Sequence, residues 1–265
     1  MLKRARMAGC MAAMVCASLP VRAETITVGA EDDWPPYSYV RPGQSEPQGL
    51  TPKLVRAAFQ TQGIQVRYVV LPFARCMHDA EKGRVVGCFN ATRTQGNSAL
   101  FHWHPTPMFE EELAIFGRAG AEQARSLQQQ DLQGHKVGIT VGYTYPTEFM
   151  TDSRIIRQEA TSDINVLRML AAGRVEYVLA NTLPALYRMS LEPALKDKVR
   201  RVGAIRKDGF WISFSKAHPD GERLCAVFEK GLQALRASGQ YDRMLSEFHR
   251  EWALSAPAAP VGAVP

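Results

Sequence analysis

The sequence predicts an α/β protein with largely parallel sheets, divided into two lobes. Three observations carry that prediction. Short strand patterns and amphipathic helix patterns alternate along the chain at the spacing of βαβ units. The alternation breaks at a polar linker, residues 123–130, and then restarts, which marks a second lobe. With 265 residues, 46% hydrophobic and 22% charged, the chain can bury a sizeable core and falls outside the collagen-like and low-complexity classes.

Residues 25–30 read as the first strand, and the loop after them is rich in Pro and Gly. Residues 52–62 read as a helix, with Thr51 as its cap and Pro52 in its first turn. Strand 65–71, helix 75–82, strand 85–89 and strand 111–117 follow. Past the linker come strand 136–141, a helix from about Pro146, strand 154–158, helix 164–172, strand 176–180 and helix 183–189. The last third predicts a strand at 210–215 and helices at 221–238 and 240–250. Residues 255–265, small residues and proline, read as a disordered tail.

The formal net charge of +6 points to nucleic acid only until the charges are located. Lys3, Arg4, Arg6 and Arg22 lie in the first 23 residues, which hold no acid, so the remainder carries +2. Residues 1–23 read as a signal peptide: a positive start, an apolar run over 7–19 and a small residue, Ala23, at the cleavage position. A membrane anchor is the other reading, but the apolar run is shorter than the roughly 20 residues a spanning helix needs. Gly9-Cys10 resembles a lipoprotein box, yet almost no apolar run precedes it. The expectation is a chain exported to a bacterial periplasm and mature from Glu24.

Cys76, Cys88 and Cys225 remain, and an oxidising compartment favours closing one pair. Cys76 opens a predicted helix and Cys88 lies on the next strand, so their Cα atoms can approach within the roughly 4.4–6.8 Å a disulfide needs. Cys76–Cys88 is the favoured pair, with buried free thiols as the alternative. Cys225 reads as core.

In such sheets ligands bind beyond the carboxyl ends of the strands, near helix N-termini. The segments after Ala30, Phe89, Val141 and Ala180 therefore surround one crevice. The pieces at and between them include Trp34-Pro35-Pro36-Tyr37, Gly49-Leu50-Thr51-Pro52, Gly83-Arg84-Val85 and Gly142-Tyr143-Thr144-Tyr145. Asp131-Leu132-Gln133-Gly134, Ala172-Gly173-Arg174-Val175 and Ser238-Gly239-Gln240-Tyr241 continue the series. In order and spacing, over Glu24 to about Trp252, they resemble the family 3 solute-binding proteins of bacterial amino-acid transport.

That resemblance implies a type II periplasmic binding protein, two lobes closing like a clamshell about two crossover strands. Lobe one would be 24–112 plus 207–254 and lobe two 113–206, with the hinge at 111–117 and 202–207. It implies a small-molecule ligand, an inner-membrane ABC permease as partner, a monomer, no cofactor and no catalysis. It also implies two charged anchors, which this chain lacks. The arginine of the family's Thr-x-x-Arg loop is replaced in Thr94-Gln95-Gly96-Asn97, and the ammonium-binding aspartate by Asn181. An amide cannot supply a guanidinium's charge, and an unpaired buried ion carries a desolvation penalty of several kcal/mol. The expected ligand is a small polar or acidic solute rather than an ordinary α-amino acid.

Trp34 and Phe73 fall where the family places aromatic platforms; core packing is the plainer reading, and Tyr37 is balanced between the two. Thr144 and the Tyr143 hydroxyl suit an anionic or strongly accepting group, or simply cap a helix. Asn90 and Thr92 lie on the crevice loop, and Asn181 is a ligand residue or a plain N-cap. Arg75 and Arg93 offer positive charge, or Arg75 pairs structurally. His102 and His104 share one face of a strand, but no carboxylate or cysteine nearby completes a metal set, so no metal is expected. Trp211 reads as core. Two other classes stay open: a dehydratase-like enzyme, for which Glu31 is the one crevice carboxylate, and a module reporting its ligand state to a partner.

Overall fold

Ile26, Val28 and Ala30 bury one face of the first strand, β1 (Thr25–Glu31), and the sheet grows outward from it. The structure, a computed structural model, describes residues 23–120 and 125–255. The proposed signal peptide and nearly all of the proposed tail lie outside those residues.

After β1 come a small hairpin, β2 (Asp33–Trp34) and β3 (Ser38–Tyr39), then α1 (Leu50–Gln60), β4 (Gln65–Leu71) and α2 (Phe73–Glu81). β5 (Gly87–Ala91), β6 (Phe101–Trp103) and β7 (Phe109–Arg118) follow. A 3-10 turn (Gln129–Leu132) leads to β8 (Lys136–Thr140), α3 (Thr147–Thr151), β9 (Ile156–Ala160), α4 (Asp163–Ala171) and β10 (Tyr177–Asn181). The chain ends with α5 (Thr182–Leu191), α6 (Pro193–Lys196), β11 (Val199–Ser215), α7 (Gly221–Ala237) and α8 (Gln240–Ser255).

The strands run in the order β4-β1-β5-β11-β7-β10-β8-β9, with β6 also on β11. β4, β1 and β5 are mutually parallel, as are β10, β8 and β9. The antiparallel pair β7 and β11 passes between these two trios. Two cores follow the same division. Phe59, Phe89, Phe214 and Phe228 anchor one, drawn from the start and end of the chain. The other side packs Phe116 with Val166 and Leu170, and Ile139 with Phe149, all from the intervening stretch.

Where expectation and structure differ, local chemistry supplies the reason. Thr51 does not cap α1: Gly49 holds that position at φ +107, because a Cβ there would lie 2.4 Å from the Tyr37 carbonyl oxygen. The Thr51 hydroxyl instead donates to Asn90 Oδ1 at 2.8 Å. Residues 202–207 and 210–215 are not two strands. They join in the 17-residue β11, which keeps pairing with β7 through register shifts near Val202 and Ile205. Cys76 and Cys88 form a disulfide with Cα atoms 5.7 Å apart, tying α2 to β5. Cys225 is free and buried in the first core.

Candidate functional site

Five strand ends and loops meet where the two trios face each other, and they line a cavity of about 30 Å³. The cavity is partly open to solvent. From the first side come Glu31, Trp34, Phe73, Asn90 and Thr92; from the second come Tyr143, Thr144 and Asn181. Leu113, Asp208 and Phe210, on the crossing strands, close the floor.

Glu31 ends β1 with its carboxylate 3% exposed. Asn90 Nδ2 donates to its Oε2 at 3.2 Å. Asn90 itself sits at φ 62, a left-handed conformation that asparagine tolerates better than most residues, at the end of β5. Burial holds the Glu31 carboxyl well above the usual carboxylate range; the Asn90 amide opposes this and the nearby Asp163 adds to it. Asp163, at the start of α4, accepts from the Thr140 hydroxyl at 2.6 Å, and burial pushes it up to about 6. Tyr143 reaches across from the second side, packing against three core clusters and meeting Phe73 edge-on at 5.9 Å. Its hydroxyl lies near Glu31 and, like the Asn90 amide, favours the charged carboxylate.

The residues expected at the site divide. Seven of them, Trp34, Phe73, Asn90, Thr92, Tyr143, Thr144 and Asn181, line the cavity. Tyr37, Arg75, Arg93 and Asn97 do not. Tyr37 is buried behind Trp34, its ring stacked 4.5 Å from Phe109 and its hydroxyl donating to Glu111 Oε2 at 2.5 Å. Arg75 points to solvent and pairs with Asp79 at 3.0 Å. Arg93 is exposed on a surface groove beside Glu148 and Arg206. Asn97 holds its own turn, accepting from the Thr94 N–H at 2.8 Å and donating to the Thr92 carbonyl at 2.9 Å.

Trp34 is core as well as wall, stacked 4.7 Å from Tyr37 and tilted against Phe210 at 4.8 Å. Asn181 makes no side-chain cap; it donates weakly to the Glu112 carbonyl at 3.4 Å. His104 is buried with both ring nitrogens engaged: Nδ1 lies 2.7 Å from the Thr106 carbonyl and Nε2 accepts from the Ile212 N–H at 3.1 Å. Among the described residues no group of three or more metal-ligating side chains is assembled.

Four residues at or beside the cavity escaped the sequence. Leu113, Asp208, Phe210 and Glu111 lie on strands whose pattern reads as plain connection. Glu111 is the middle of three consecutive glutamates near the start of β7, so nothing local in the sequence set it apart. Buried at 6% exposure, it accepts from Tyr37 on one side and from the Leu183 N–H, 2.8 Å away, on the other. The N-terminus of α5 is therefore already occupied by a carboxylate of the chain itself.

Two parallel trios, two crossing strands and a cavity walled from both sides define the class of two-lobed binding proteins. The chain belongs to the bacterial extracellular solute-binding proteins, family 3, whose model matches residues 26–251. No match among curated proteins was found. Several solved structures are similar. A histidine kinase sensor domain with similarity to periplasmic binding proteins has TM-score 0.74 at 24% identity, over 86% of this chain and 96% of that one. An ancestral arginine-binding protein bound to arginine has TM-score 0.72 at 22% identity, over 86% and 98%. The amino acid ABC transporter substrate-binding protein AbpA from Streptococcus pneumoniae, bound to L-arginine, has TM-score 0.70 at 18% identity, over 88% and 97%. Among the described residues no helix is long and apolar enough to cross a membrane.

Proposed function

We propose that this chain captures a small solute in the cavity between its lobes and presents it to an ABC permease of the inner membrane. The observation that carries the reading is the lining itself, which combines both lobes and both crossing strands in one space. Lobe one is 24–112 with 207–254, and lobe two is 113–206. Open and closed forms interconvert by bending at 111–117 and 202–207, and a solute touching both walls favours the closed form. Function is binding, and catalysis resides in the transporter. The protein works in the periplasm after its signal peptide is removed.

An ordinary α-amino acid is a poor fit. Its carboxylate meets no arginine, lysine or histidine in the lining, and Asn97 is committed to its turn. The expectation of an acidic solute meets the same obstacle.

A thermal-shift screen on the chain from Glu24, freed of carried-over ligand by partial unfolding, tests the reading. A solute at about 100 times its Kd adds roughly 2.7 kcal/mol, several degrees for a chain of this size. At least one shift is expected from a panel of amino acids, sugars, polyamines and carboxylic acids. Silence across the panel contradicts solute capture. It would favour the second reading, a partner-binding sensor, for which the shared fold of the histidine kinase sensor domain is the supporting observation.

A further inference from the structure

We propose that the solute is a small organic cation without a carboxylate, an amine or guanidinium compound, whose charged head pairs with Glu31. The inference rests on the solute-capture reading above and names the chemistry of that same cavity. Its carriers are the charges present at the lining and those turned away from it.

Glu31 is 3% exposed, lines the cavity and has no cation beside it. The groups that face it are the Asn90 amide, the Tyr143 hydroxyl, Asp163 and Asp32; each charged one is an acid. A buried carboxylate in that company lacks a partner of opposite charge. Asp208, the second acid of the lining, is paired with Arg206 at 2.6 Å, which leaves Glu31 as the lining acid with no cation beside it.

Every basic side chain that might have received an anion is committed elsewhere. Arg75 goes to Asp79, Arg93 lies on a separate groove, and Arg188 pairs with Asp33. The helix N-terminus on the lobe-two side, which would attract an anion, is filled by Glu111. Around Glu31 the walls are aromatic, with Trp34, Phe73, Tyr143 and Phe210. Ring faces attract ammonium and guanidinium groups and add to what a carboxylate offers. Glu31 and these rings line a partly open cavity, so the charged head sits there and the rest of the solute extends along the cleft.

Burial disfavours the charged form of Glu31 and a bound cation favours it, so cation binding is linked to loss of a proton from this carboxyl. Affinity for the cation therefore falls as the pH drops below the raised Glu31 pKa.

Calorimetric titration of the stripped chain with agmatine, putrescine, L-arginine and succinate tests the assignment, on wild type and on Glu31→Gln. The expected result is binding of agmatine or putrescine in preference to arginine, and none of succinate. Glu31→Gln should weaken the amine at least tenfold while the empty variant keeps its cooperative melt. Wild-type affinity for the amine should also fall several-fold from pH 7 to pH 5, a readout that does not depend on the variant folding. Equal amine affinity in Glu31→Gln, or no change with pH, overturns the assignment. Binding of succinate or a sugar with both amines silent overturns it too, and leaves solute capture standing. Silence of every solute in the wider panel overturns both.

Discussion

The two walls of the cavity are held in different ways. The five lining residues drawn from 31–92 are all buried: Glu31, Trp34, Phe73, Asn90 and Thr92. They sit on or beside strand ends and the start of α2, and Thr51, Asn90 and Glu31 form a hydrogen-bonded chain. The three lobe-two residues, Tyr143, Thr144 and Asn181, are only half-buried. They stand on a loop after β8 and at the last residue of β10, and Gly142 brings that loop against α2, where a Cβ would come within 3.0 Å of Ala74. One wall is fully buried, while the other is half-exposed on a loop and a strand end, the arrangement expected if the second wall moves on closure. A solute-binding cleft benefits from that asymmetry, because a preorganised wall reduces the ordering cost of binding and a mobile one admits the solute.

The largest expected effect falls on the fixed wall. Trp34→Ala removes a ring packed between Tyr37 and Phe210, and should cost about 3–5 kcal/mol of stability together with solute binding. Chemical denaturation of the empty protein checks it. A stability loss below 1 kcal/mol would mean that Trp34 serves the solute alone and that the fixed wall does not depend on it.

A middling effect concerns the acids buried between the walls. Asp163 titrates near 6 in the folded chain against 3.8 when exposed, because burial disfavours its charge. Between those values the folded state holds more protons than the unfolded one, so stability falls as pH rises through that window. Relative to Asp163→Asn, wild type should gain on the order of 2 kcal/mol between pH 7 and pH 4. Parallel pH profiles for the two proteins would contradict the buried placement.

The smallest effect on stability concerns the moving wall. Arg188, on α5, donates to the Asp33 carboxylate and to the Asp33 carbonyl at 3.2 Å, joining the lobes at the mouth. Asp33 is 56% exposed, so solvent screens the pair and Arg188→Ala should cost only about 0.2–1 kcal/mol. Its population of open forms should nevertheless rise, which small-angle scattering reads as a larger radius of gyration for the empty protein. An unchanged radius would mean that the lobes are held by other contacts.

The same asymmetry explains what the sequence made legible. Strand periodicity and βαβ spacing placed β4 at its observed limits and located the loops that meet at the cavity, because those signals are local. Asn90 and Tyr143 followed from lying just after strand ends. Asn97 did not, since its amide could serve a ligand or a turn and only the folded loop shows it bonded to Thr92 and Thr94. Tyr37 and Glu111 are 74 residues apart and meet through tertiary packing that no spacing encodes. The floor residues Asp208 and Phe210 were hidden for a related reason: a strand crossing between lobes carries the same pattern as one that stays within a lobe.

The most direct test of one fixed and one moving wall is amide hydrogen exchange on the chain from Glu24, with and without the solute giving the largest thermal shift. The account predicts that amides at 141–145 and 181–183 gain protection on binding, while those at 88–92 are protected in both states. Equal gains on both walls, or gains confined to 88–92, would contradict it.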